Sequence, residues 1–322
     1  MMVDESLLMQ RMAGRKLSGL IAATYTPMKA CGDLNLDVVP AMVEKLLLDG
    51  VSGLYVCGST GEGMSLTTRE RQLVASAFVN ATAGRVPVIV QVGHNSLREA
   101  QELAKHAQQI GASAISATCP SYFKVASVQS LTLCMQELAA AAPETPFYYY
   151  HIPVLTGSSI DMVEFLTHAD EAIPTLVGLK YTDTMLFEFQ RCLELSNRKF
   201  DVVWGCDEML LGATATGARA AIGSTYNLAA KIYRKMTLAL ASGQLETARQ
   251  WQSKSIEMIC TIGRYPFHPA MKAILAMQGL DVGPCRLPLE SLSQSQVESL
   301  RESLDAIGFF EWSGDTSKPS DA

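Results

Sequence analysis

Eight short apolar segments recur along the chain to about residue 222, each followed by a polar turn and, for most of them, a helical pattern. They span residues 19–24, 53–57, 86–92, 112–118, 146–150, 175–180, 202–206 and 219–222. Each is apolar throughout rather than alternating, the pattern of a strand buried on both faces of a parallel sheet. Strands alternating with helices are crossover units. Eight such units in roughly 200–220 residues fit a closed (β/α)8 TIM barrel. The rival is an open, doubly wound sheet, which calls for a glycine-rich phosphate fingerprint at its first turn. The first turn here is TYTP, and GSTGEG after the second strand matches neither GxGxxG nor GxxxxGK[ST].

Helix signals support the alternation. Asp37 is placed to cap a first helix that Gly50 ends. Thr67 with Glu70, and Ser96 with Glu99, have capping-box spacing. A helix is predicted over residues 128–142, Asp161 opens another, and a further one runs from Asp207 through Thr214. The division expected is a flexible leader over residues 1–16, the barrel over 17–230, a C-terminal helical extension over 231–312 and a disordered tail over 313–322.

Composition removes several classes of function. With 322 residues and 48% hydrophobic content the chain can bury a large core. Its net charge of −6, with no dense Lys/Arg run, disfavours nucleic acid and anionic membrane as partners. No apolar run approaches the ~20 residues of a membrane span, and the early acidic residues of MMVDESLLMQRMAGRK are unlike a secretory signal. Eight cysteines without CxxC or regular spacing read as reduced thiols of a cytoplasmic protein. The five histidines show no metal-ligand spacing, so no metal or other cofactor is expected.

Active sites of such barrels lie at the carboxyl ends of the strands. Lys180 closes the sixth strand. It is either a surface lysine just past the strand or a buried amine facing a site, where burial favours the neutral, nucleophilic form. Tyr150 ends the fifth strand, next to Lys180 in a closed barrel, and is either one of three core tyrosines (148–150) or a proton shuttle. In GSTGE, residues 58–62, two hydroxyls and free amides ahead of a helix suit a carboxylate or phosphate, or form an ordinary glycine turn. Asp207 and Glu208 are helix-start acids or acceptors for sugar hydroxyls. GSTYN, residues 223–227, can be a plain turn, and Tyr122 can belong to core or site. Together these groups place a nucleophile, a proton shuttle, an anion nest and hydroxyl binders on one rim.

GSTGE after strand two, Tyr150 in YYYHIP, Lys180 in GLKYTDT and GSTYN after strand eight resemble the N-acetylneuraminate lyase / dihydrodipicolinate synthase superfamily of pyruvate-dependent class I aldolases. The resemblance runs from about residue 17 to about residue 310, and YYYHIP, GSTYN, the Asp-Glu pair after WGC and RLPL are most similar to its N-acetylneuraminate-cleaving branch. It implies a catalytic set of Lys180 as Schiff-base lysine, Tyr150 as proton shuttle, Ser59, and Tyr122 reaching across a subunit interface, hence an oligomer, usually a homotetramer. It further implies that Ser59 and Thr60 hold the pyruvoyl carboxylate, and that Thr182, Gly205, Asp207, Glu208 and Ser224 line the pocket for the sugar. The implied partners are small molecules: N-acetylneuraminate, pyruvate and N-acetylmannosamine. The alternative is a related aldolase or dehydratase acting on 2-keto-3-deoxy sugar acids. His151 stands where relatives often carry Asn, and Lys124 where many carry Pro. Leu155 occupies the position of the arginine that binds a second carboxylate in lysine-pathway members, which argues for a polyhydroxyl substrate.

Overall fold

A computed structural model describes residues 16–314. The expected leader, apart from Lys16, and the expected tail beyond Gly314 lie outside the described residues. Strands β1 (Gly19–Ala23), β2 (Gly53–Val56), β3 (Val88–Gln91), β4 (Ala114–Ala117), β5 (Phe147–His151), β6 (Leu176–Tyr181), β7 (Asp201–Trp204) and β8 (Ala220–Gly223) follow in chain order. Each pairs in parallel with the next, and β8 pairs with β1, so the sheet closes into a barrel. Eight helices follow the eight strands: α1 (Val39–Leu48), α2 (Thr68–Thr82), α3 (Leu97–Gln109), α4 (Val128–Ala139), α5 (Met162–Ala172), α6 (Leu186–Arg198), α7 (Leu210–Thr216) and α8 (Tyr226–Ala241). Three more follow, α9 (Leu245–Ile262), α10 (Phe267–Met277) and α11 (Gln294–Ala306), and then a single helical turn, Phe309–Trp312. The boundary expected at 230/231 falls inside α8, whose apolar face packs on β1 and α9.

Local signals behave unevenly. The Thr67–Glu70 box forms in full, and Asp161 caps α5 through the Glu164 amide. Ser96 caps α3 alone, because the Glu99 carboxylate is drawn to the Thr68 hydroxyl at 2.5 Å instead of returning to its own helix. Asp37 caps nothing: it sits inside a short 3-10 turn, and α1 starts after it with Pro40 in its first turn.

Two cores result from the closure. Side chains between strands and helices form a large outer layer. Inside the barrel a smaller set, among it Ile21, Tyr55, Ile89, Tyr148, Tyr150, Val203 and Ile222, fills the interior. Alternation along β5 therefore separates its tyrosines. Tyr149 points outward, its ring 4.8 Å from that of Phe165 on α5. Tyr148 points inward at the amino end, donating to Asp201 at 2.7 Å. Tyr150 points inward at the carboxyl end.

Candidate active site

Lys180 is one residue from the carboxyl end of β6 and only 4% exposed. The surface alternative for this lysine is therefore wrong: the strand runs one residue further, and alternation sends Leu179 and Tyr181 to the outer layer and the Lys180 side chain into the barrel. Its Nζ lies 4.0 Å from the ring centroid of Tyr150 and 4.1 Å from that of Tyr55. Register pairs the Cα of Tyr150 with that of Lys180, which sets both side chains on the same face of the sheet. Two aromatic rings thus flank the nitrogen. Tyr55 is fixed in turn by a 3.1 Å hydrogen bond to Ser116 and by edge-to-face contact with Tyr150.

A cavity of about 150 Å³ opens beside Lys180. Thr60, Tyr150, Thr182, Gly205, Asp207, Glu208 and Ser224 all line it. Ser59 stands next to it, its hydroxyl 3.5 Å from the Tyr150 hydroxyl. Two glycines make the room. A Cβ at Gly205 would sit 2.0 Å from the Thr182 hydroxyl, and one at Gly223 would sit 1.7 Å from Asp207 Oδ1. The ends of β7 and β8 are thus bare so that Thr182 and Asp207 can lie across them. Asp207 is buried, and burial pushes its carboxyl above the usual range against two Thr225 hydrogen bonds that lower it.

The GSTGE loop differs in one respect from its expected form. It does not open a helix directly, because a short 3-10 turn, Gly63–Ser65, separates it from α2. The amides of Glu62 and Gly63 are spent inside the turn, on the carbonyls of Ser59 and Gly58 at 3.1 Å each. Glu62 itself is in left-handed backbone (φ 54°), unusual for a residue with a side chain. Its carboxylate pairs with Lys272 of α10 at 2.7 Å, with side chains 0% and 3% exposed. Lys272 also donates to the carbonyls of Thr26 (3.0 Å) and Pro284 (2.8 Å), and the Arg286 amide donates to Glu62 (2.7 Å). Arg286 in turn grips Glu70 bidentately, at 2.7 and 2.9 Å, and holds that carboxyl down to about 2. The RLPL segment and α10 therefore pin the carboxylate-nest loop from behind. Lys272→Met leaves Glu62 charged and buried without a cation, and should lower stability by about 3–5 kcal/mol. Urea denaturation of both proteins measures it, and a loss below about 1 kcal/mol would refute the pinning role.

Tyr122 does not join the cavity within one chain. It is 78% exposed, stacked edge-on against Phe123, with its amide held by Asn95. The two departures noted in the sequence leave the cavity untouched. His151 points to the outer layer, 3.8 Å from Asp183, where burial lowers it to about 4. Lys124 ties the fourth loop to the fifth through the Thr156 carbonyl at 2.9 Å. Sequence reading missed Tyr55, Thr225, Ile259 and Phe267, although all of them touch Lys180 or the cavity. Only Lys272 carried a usable signal, as a lone charge in the apolar stretch FHPAMKAILAM. Among the described residues no three His, Cys, Asp or Glu side chains converge as a metal-ligand set.

Fold and site place the chain among the (β/α)8 barrels that carry a buried lysine at the catalytic rim, an arrangement suited to imine chemistry on carbonyl compounds. The particular family follows from a match over residues 16–307: the chain belongs to the Dihydrodipicolinate synthetase family. The N-acetylneuraminate lyase of Xenopus tropicalis is 42% identical over 294 residues, 90% of this chain and 96% of its own. Among solved structures, the Proteus mirabilis N-acetylneuraminate lyase superposes with a TM-score of 0.89 at 37% identity, over 92% of this chain and 100% of that one. The N-acetylneuraminate lyase (sialic acid aldolase) of Aliivibrio salmonicida gives 0.89 at 38% identity, over 92% and 98%.

Proposed function

We propose that this chain is a class I aldolase that reversibly cleaves N-acetylneuraminate to N-acetylmannosamine and pyruvate. The observation that carries this reading is one cavity holding Lys180 and Tyr150 beside Asp207, Glu208, Thr182 and Ser224. Relatives named for that activity, alike over nearly their whole length, support it.

Lys180 attacks the keto carbon of the open-chain sugar acid, and loss of water leaves an iminium. Tyr150, as phenolate or through the substrate carboxylate, takes the proton from the 4-hydroxyl. The bond between the third and fourth carbons then breaks, its electrons pass into the iminium to form an enamine, and N-acetylmannosamine leaves. Protonation of the enamine and hydrolysis of the resulting imine release pyruvate and restore Lys180. Ser59 and Thr60 hold the carboxylate throughout. Thr182, Gly205, Asp207, Glu208 and Ser224 receive the sugar. The imine is formed by the chain's own lysine, so the scheme uses no cofactor. Leu155, on the rim at the fifth loop, offers no charge to a second carboxylate.

The working form is a homotetramer in which Tyr122 polarises Tyr150 of a neighbouring chain. Its exposure beside Phe123 supports that placing. A cytoplasmic location is supported by eight free cysteines.

Pyruvate release by the purified protein tests the proposal, with N-acetylneuraminate and 2-keto-3-deoxygluconate compared side by side. Release from the sialic acid in clear preference is expected. Release from the shorter acid alone would keep Lys180 and Tyr150 in their roles but overturn those of Asp207, Glu208 and Ser224.

A further inference from the structure

Behind the cavity wall, a chain of buried hydroxyls ends on Asp207. Thr225 donates its hydroxyl to Asp207 Oδ2 at 2.5 Å, and its amide to the same oxygen at 2.9 Å. Thr225 Oγ1 lies 2.6 Å from the Tyr233 hydroxyl, and Ser255 donates to that hydroxyl at 2.8 Å. Each hydroxyl has one proton. Thr225 gives its own to Asp207 and Ser255 gives its own to Tyr233, so the Tyr233 proton is the one that spans the Thr225–Tyr233 contact. All three protons then point toward the carboxylate. Such a one-way series polarises along its length and stabilises the charge at its end. None of the three side chains is exposed to solvent by more than 1%. The series begins on α9 and crosses α8, outside the strand-end loops where barrel sites are usually sought.

Burial and the neighbouring Glu208 carboxylate oppose the charge of Asp207, and that charge in turn holds the protons on the groups around it. Glu208 is adjacent in the chain, and the phenols of Tyr25, Tyr226 and Tyr233 and the Cys206 thiol are all close enough to feel it. Lys180 shares the cavity. The Tyr226 hydroxyl lies against the carboxyl group and also helps to lower it, less than the two Thr225 hydrogen bonds do. Gln252 holds the backbone of the same turn through the Asp207 carbonyl and the Leu211 amide. Thr225, which also lines the cavity, therefore supplies the main counterweight to burial, with the Tyr233 and Ser255 hydroxyls behind it.

We infer that Ser255, Tyr233 and Thr225 are positioning residues that keep Asp207 ionised and oriented on the sugar side of the cavity, and so set affinity for the polyhydroxyl part of the substrate. The inference rests on the function proposed above. It assigns the relay no part in imine formation, because the side-chain hydrogen bonds of the three run to Asp207 and to one another.

Tyr233→Phe removes one link and keeps the ring that packs against Tyr226. Without the Tyr233 proton, Thr225 is a weaker donor to Asp207, which makes the carboxyl easier to protonate, so the ionised form disappears at a higher pH. KM for N-acetylneuraminate should rise roughly tenfold, and the pH below which KM climbs should move up by about one unit. Both kcat and the borohydride-trapped pyruvate adduct at Lys180 should stay near wild type. Ser255→Ala, which removes only the far end of the series, should show the same effects at smaller size. Unchanged KM and unchanged pH dependence in a folded Tyr233→Phe protein overturn the inference. Loss of pyruvate trapping alongside the KM effect also overturns it, because the network would then serve the whole site. If the wild-type protein traps pyruvate but cleaves no N-acetylneuraminate, the function proposed above fails, and this role falls with it.

Discussion

Lys180→Met is expected to abolish the pyruvate adduct and lower turnover by roughly five to six orders of magnitude, the scale seen when a covalent nucleophile is removed. Methionine fills a similar volume, so the Tyr55 and Tyr150 rings that now sit about 4 Å from Nζ keep a partner of comparable shape. Stability should hold or rise, because a buried amine costs desolvation that a thioether does not. Intact mass after borohydride and pyruvate treatment gives the reading: one reduced adduct in the wild-type protein, none in the variant. An adduct that persists in Lys180→Met would move the imine to another lysine. Lys272 is the other buried candidate, but it is already committed to Glu62 and two carbonyls.

Tyr150→Phe should separate the two halves of the chemistry. The ring stays over Lys180, while the hydroxyl and its 3.5 Å approach to Ser59 are lost. Adduct formation with pyruvate should continue. Cleavage should fall by roughly 10²–10⁴-fold, the range for removal of a positioned acid–base group. Pre-steady-state trapping beside steady-state turnover distinguishes these steps. Turnover near wild type would remove the phenol from proton transfer and leave Ser59 or the substrate carboxylate to carry it.

The barrel was legible because its evidence is local and repeated. A strand of four to six residues buried on both faces must be apolar throughout, and eight such runs between helices leave few topologies. Caps were legible where donor and acceptor lie three residues apart, as at Thr67–Glu70. They misled where a distant group competes, as Thr68 does for Glu99, or where a proline starts the helix later, as beyond Asp37. The rim residues were legible for the same reason as the strands: a strand's end is visible in sequence, and the barrel turns every strand end toward one mouth.

Strand parity was harder. Period-two alternation groups Tyr148 with Tyr150 and sets Tyr149 apart, but in a strand apolar on both faces it does not say which set points inward. The register of β5 on β6 decides that, bringing Tyr150 level with Lys180. Contributions from far along the chain had no periodic signature at all. Tyr233 and Ser255 read as ordinary helix residues, and Ile259 and Phe267 as ordinary core, yet the first two stand behind Asp207 and the others line the cavity.

By itself, then, the sequence determined the strand and helix order, the closed barrel, and the strand-end residues that face its mouth, because these depend on burial patterns and spacings within a few residues. Tertiary structure alone decided that Lys180 lies between two aromatic rings, that Glu62 is held by Lys272 from 210 residues away, and that a hydroxyl series from α9 reaches Asp207. Those contacts join segments far apart in the chain, and their distances and proton directions exist only once closure of the barrel has brought the segments together.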